Sequence, residues 1–129
     1  MARWLFKEEP SSYNFARLMK DGQTTWSGIA NALALKNLRQ VKKGDDIFFY
    51  HTGKEKAVVG IMQAAEDAVD GEDVSVVVKP IRLLDHPVPL SVVKTDPLLK
   101  EWELARLPRL SIMPVTTKQW QRVLALAKA

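Results

Sequence analysis

Trp26 stands in the run Thr25-Trp26-Ser27-Gly28, and Asn31 follows three residues after the glycine. These residue types suit binding better than reaction. An indole beside a glycine, where a ligand can approach the backbone, offers a flat face on which a nucleic-acid base stacks, an interaction worth about 1–3 kcal/mol per base. The same indole could instead close the core. Asn31 carries a paired donor and acceptor that suit the edge of a base, and it also stands where a helix N-cap belongs. Spacing leaves both readings open. Tyr50 and His51 end the run Phe48-Phe49-Tyr50-His51. His51 could donate to a ligand or phosphate there, or serve as a satisfied structural residue.

The constellations that carry catalysis are missing. Gly53-Lys54 has the Gly-Lys pair of a phosphate loop, but Phe48 occupies the place of its first glycine and Glu55 that of the magnesium-binding Ser or Thr. His51 and His86 are the only imidazoles; they lack a paired-His zinc spacing, and no Gly-x-Ser-x-Gly places a nucleophile. With no cysteine, thiolate ligation and disulfides are excluded. No metal and no cofactor is expected. Adjacent acids such as Glu8-Glu9 and Asp45-Asp46 point to opposite faces of a strand, so neither forms an acid–base pair by itself. His51 with Glu8 or Glu9 is the one enzymatic alternative, as a nucleotide-processing pair; a small-molecule or protein-interaction module is the other competing reading.

The elements that must position these residues follow from periodicity. Trp4-Leu5-Phe6 reads as a strand that stops before Pro10. Ser11 or Ser12 is placed to cap a helix with Phe15, Leu18 and Met19 facing inward, ended by Asp21-Gly22. A loop then carries Trp26, and residues 31–41 form a basic amphipathic helix with Ala34, Leu38 and Val41 on one face. Ile47–His51, Ala57–Ala64 and Val74–Leu83 are β-branched and aromatic runs between Gly/Asp turns, so they predict consecutive strands, with Pro80 marking an edge or a bulge. Residues 90–103 read as helical around a break at Pro97, residues 110–115 as a last strand. Thr116 and Gln119 have capping-box spacing ahead of a final helix whose face carries Trp120, Val123, Leu124 and Ala127. Trp102 and Trp120 are assigned to core or groove packing.

A chain of 129 residues with 47% hydrophobic content suits one domain, residues 1–129, with its own core. The net charge of +4 points weakly to a polyanionic partner and equally to solubility, since Lys36, Arg39, Lys42 and Lys43 are scattered rather than run together. The opening run is too short for a signal peptide, and nothing approaches the roughly 18–20 apolar residues of a membrane span. A cytoplasmic protein without membrane contact is expected.

Five motifs in order resemble the EVE domain, a branch of the PUA-like superfamily related to the YTH domain. They are Trp4-Leu5-Phe6-Lys7-Glu8-Glu9-Pro10, Thr25-Trp26-Ser27-Gly28-Ile29-Ala30-Asn31, Asn37-Leu38-Arg39, Lys43-Gly44-Asp45 leading to Phe48-Phe49-Tyr50-His51, and Arg109-Leu110-Ser111-Ile112-Met113-Pro114-Val115. The resemblance implies an α+β, PUA-like pseudo-barrel, a mostly antiparallel sheet flanked by helices. It implies a non-catalytic reader of a modified base: methylated or hydroxymethylated cytosine in DNA, or a modified base in RNA. A monomer is expected. Trp26 would supply the stacking wall, with Lys7, Ser27, Gly28, Asn31, Tyr50 and His51 around the pocket and Arg39, Arg109 and Lys36 on phosphates. Three positions depart from the family: Ala32 replaces a Tyr, Leu35 an Arg and Glu8 a Ser. Losing an aromatic and a cation while gaining an acid should weaken or redirect nucleic-acid binding.

Overall fold

A computed structural model describes residues 1–128. β1 (Arg3–Glu8) runs parallel to β3 (Asp46–His51), with Phe6 opposite Phe49 and Lys7 opposite Tyr50, and antiparallel to β7 (Ile112–Pro114). β3 then pairs antiparallel with β4 (Ala57–Ala64), and β4 with the long β6 (Val74–Pro89). β2 (Thr24–Trp26) closes the order as β2-β6-β4-β3-β1-β7, and the two-residue β5 (Val69–Asp70) pairs the start of β6. The sheet is mixed, with one parallel pair among antiparallel ones.

The sheet curls. In a flat sheet, four inter-strand steps of about 4.8 Å would hold β2 and β1 ~19 Å apart. Yet the Trp26 ring lies 5.4 Å from that of Phe6 on β1 and 5.4 Å from that of Phe49 on β3, centroid to centroid. Aromatic burial on the concave face therefore draws the two ends together into a half-barrel. Among the described residues five helices cover it: α1 (Phe15–Asp21), α2 (Ala32–Arg39), α3 (Leu90–Thr95), α4 (Glu103–Arg106) and α5 (Thr117–Lys128).

Local chemistry sets their ends. α5 opens with the expected capping box: Thr116 N–H donates to Gln119 Oε1 at 2.9 Å, and Gln119 N–H to Thr116 Oγ1 at 3.1 Å. Its Trp120 stacks on Phe48 at 3.8 Å and 13°. Gly22 ends α1 at φ 81°, its N–H on Leu18 O. The N-cap of α1 is Asn14, rather than Ser11 or Ser12, because Ser12 and Tyr13 donate back to Glu9 O and spend that stretch as a turn. Met19 is 50% exposed, so only Phe15 and Leu18 of the predicted inward face are buried. β6 runs six residues beyond the predicted end at Leu83. It tolerates Pro80 because its register against β4 skips Ile81, the predicted bulge, and β2 pairs only Val76–Val78.

Candidate functional site

Trp26 ends β2, where Thr24 and Thr25 supply β-branched residues that pair with Val77 and Val78 of β6. The expected loop is therefore a strand at this residue. The indole is 5% exposed, tilted 52° to Phe6 and edge-on to Phe49 at 86°. It serves as core and cavity wall together.

Beside it lies a cavity of about 220 Å³ lined by Glu8, Tyr13, Thr24, Thr25, Trp26 and Ser27. Pockets for drug-sized ligands measure about 300–1,000 Å³, so this one suits a single small flat group. Glu8 lines it from the end of β1, and its Oε1 accepts the Glu9 N–H at 3.0 Å. The Tyr13 hydroxyl donates to Asp21 Oδ2 at 3.0 Å. Desolvation, joined by Asp21, pushes that phenol above its ordinary range against an opposing hydrogen bond from Thr24, so it stays a donor. Gly28, at φ 74°, turns the chain after Ser27, and its N–H donates to Asp73 Oδ2 at 3.2 Å.

The other residues expected around this pocket are distributed elsewhere. Lys7 and Tyr50 share the opposite face of the sheet, the Lys7 ammonium 5.5 Å from the Tyr50 ring centroid and donating to Pro108 O at 3.1 Å. Alternation along a strand separates Lys7 from its neighbour Glu8. His51 is spent on structure: Nε2 accepts the first N–H of α1, from Phe15, at 3.2 Å, so Nδ1 carries the proton toward Glu55 Oε1 at 2.8 Å. Glu8 faces the Trp26 cavity, and Glu9 accepts from Thr52 and Ser11. The His51–Glu8 or His51–Glu9 acid–base pair is therefore not assembled. Asn31 caps α2, its Oδ1 accepting from Ala34 N–H at 3.0 Å, and lines a second cavity with Leu33 and Arg109. Arg39 is paired with Asp70 at 3.1 Å, while Lys36 and Arg109 are exposed.

Sequence reading missed Tyr13 and Thr24. Tyr13 reaches the cavity only because Asn14 starts α1 late, and Thr24 only because β2 is a strand; the run Thr24-Thr25-Trp26 was the available signal.

A curled mixed sheet wrapped by helices, with a small cavity where β1 and β2 meet, defines a PUA-like domain. Residues 2–126 match the EVE domain family, and the chain belongs to it. Thymocyte nuclear protein 1 of Gallus gallus is 31% identical, over 95% of this chain and 67% of that protein. That alignment runs over 163 positions against 129 residues here, so the relative carries insertions this chain lacks. Rpa0253 of Rhodopseudomonas palustris superposes with a TM-score of 0.94 at 32% identity, covering 99% of this chain and 94% of that one. Human THYN1, solved in complex with 5-methylcytosine containing DNA, superposes with a TM-score of 0.92 at 26% identity, covering 100% of this chain and 99% of that one.

Proposed function

We propose that this chain is a non-catalytic nucleic-acid-binding module that reads one modified base at the cavity between Glu8, Tyr13 and Trp26. The observation that supports it most is the end-to-end similarity to human THYN1, a protein solved with 5-methylcytosine containing DNA. Methylated or hydroxymethylated cytosine in DNA is the leading ligand, a modified RNA base the alternative within the same chemistry. The base leaves its stack to enter, at a cost of a few kcal/mol that contacts inside the cavity must offset. Lys36 and Arg109 are free to meet phosphates, whereas Arg39 must first release Asp70. The protein acts as a monomer in the cytoplasm in this reading.

The test is a panel of plain, methylated and hydroxymethylated oligonucleotides at one fixed salt concentration, since phosphate contacts alone make affinity salt-dependent. A modified strand should bind more tightly and move the amide resonances of Thr25 and Ser27. Equal affinity across the panel sinks the reading. The carboxylate of Glu8 inside the cavity favours one second reading, a small-molecule or protein-interaction module for a cationic group. Mass spectrometry of ligands that copurify with the native protein separates the two.

A further inference from the structure

A further cavity lies on the face of β1 opposite Glu8. It measures about 200 Å³, and Lys7, Lys56, Lys94 and Tyr50 line it without any carboxylate residue among the lining side chains. Three separate elements converge there: Lys7 from β1, Lys56 from the turn between β3 and β4, and Lys94 from the last turn of α3. Lys56 sits at φ 47°, a left-handed conformation that favours glycine, so a long cation is held where the backbone would be easier without it. Lys7 is half-buried with one protein partner, Pro108 O. Burial lowers its pKa, and no neighbouring carboxylate compensates. Burial pushes the Tyr50 phenol up to about 12, so its hydroxyl stays a donor at neutral pH. Two acids beside this region are engaged: Glu55 holds His51 Nδ1 at 2.8 Å, and Glu9, behind Gly53, accepts from Thr52 and Ser11.

We infer that this cavity is an anion site for a phosphate group, held by Lys7, Lys56 and Lys94 with Tyr50 as a fourth donor. Three lysines and a neutral hydroxyl around one cavity suit the oxygens of a phosphate, and charge-assisted hydrogen bonds are the strong ones. The phosphate belongs either to a phosphomonoester or to a nucleic-acid backbone. The assignment is independent of base reading, because Lys7 and Glu8 leave β1 on opposite faces.

Titration of the full chain with inorganic phosphate, against chloride at matched ionic strength, tests it by amide NMR. Saturable shifts are expected at Lys7, Gly53 and Lys94 and none at Thr25 or Ser27. The exposed Lys94→Gln should weaken phosphate about ten-fold, the worth of one hydrogen bond to a charged group. Lys56→Gly should weaken it similarly while leaving the melting temperature unchanged or raised, which a purely structural lysine would not do. Shifts that chloride reproduces, or unaltered phosphate affinity in both variants, overturn the site. The source is read by competition. An unmodified single-stranded oligonucleotide that displaces phosphate, and is weakened by Lys94→Gln, assigns a backbone phosphate. Displacement by a nucleoside monophosphate alone assigns a phosphomonoester.

Discussion

Lys7 and Glu8 are neighbours on β1, and the cavities they enter differ in almost every respect. Glu8 opens into a space walled by Trp26 and Tyr13, with Asp73 holding the adjacent loop. Lys7 opens into a space with two further lysines and a buried phenol. The period of two along a strand has sorted opposite charges onto opposite faces, which a net charge of +4 conceals. The supports differ as well. The Trp26 wall rests on packed rings from β1 and β3, whereas the three lysines of the other cavity come from a turn, a short helix and one strand. The aromatic side is the part whose geometry the core fixes; the cationic side owes its field to residues that can be exchanged one at a time.

The largest effect should come from breaking the aromatic support. Phe49 is fully buried, and its ring lies 5.4 Å from those of Phe15, Trp26 and His51, each nearly perpendicular to it. Phe49→Ala should cost about 3–5 kcal/mol in urea unfolding, the range for truncating a buried aromatic ring. A loss under 1 kcal/mol would mean that the wall behind Trp26 is not built on this contact. The second effect belongs to the cationic side. Tyr50 is 3% exposed, and desolvation raises its phenol to about 12 from 10.0. Between those values the unfolded chain loses a proton that the folded chain keeps. The folded state binds more protons there, so stability falls as pH rises. The contribution is intact below pH 10 and gone above about 12, a change of about 2–3 kcal/mol. Lys7, lowered by burial, works the other way: its cost to folding fades as alkali neutralises it. Tyr50→Phe should flatten the alkaline loss and remove the late step in phenolate absorbance. A Tyr50 that ionises at its ordinary value would show that the lysine cavity is fully wetted.

Periodicity carried β1, β3, β4, most of β6 and β7, the capping box and most of the buried faces of α2 and α5, because each depends on residues within a few positions of one another; β2 reads as a loop and β5 is not expected from sequence. The curl did not follow from it: nothing local says that Trp26 will meet Phe6 and Phe49 across four strands. The site suffered from the same limit. Its motifs were legible in order, yet the residues taken to surround one pocket line several cavities, since β1 sends Lys7 and Glu8 apart and His51 turns to cap α1. Glu8 stood out in the sequence as a departure, and the structure gives that departure a place. Asn31, which spacing left open between cap and base edge, caps α2. Asn31→Ala should cost about 1 kcal/mol by losing the acceptor for Ala34 N–H, and leave base affinity unchanged. A fall in affinity beyond the stability loss would restore it to the ligand site.

The smallest effect is the one that most sharpens the contrast between the two faces. Among the described residues, Glu8 is the only carboxylate lining the Trp26 cavity. A unit charge about 4 Å from a phosphate is worth ~1 kcal/mol in water, so Glu8→Ser should tighten oligonucleotide binding about five-fold if the carboxylate merely repels the backbone. The gain should shrink as salt rises, because screening removes it. The opposite sign is equally informative. A carboxylate can accept from the exocyclic amine of cytosine, and a weakening confined to strands that carry the modified cytosine would make Glu8 a reader of that edge. Measured beside Lys94→Gln on the same strands, the pair of variants tells whether base and phosphate are taken on separate faces. A Lys94→Gln loss shared by modified and plain strands, with a Glu8→Ser change confined to modified ones, is the result that a two-faced β1 predicts.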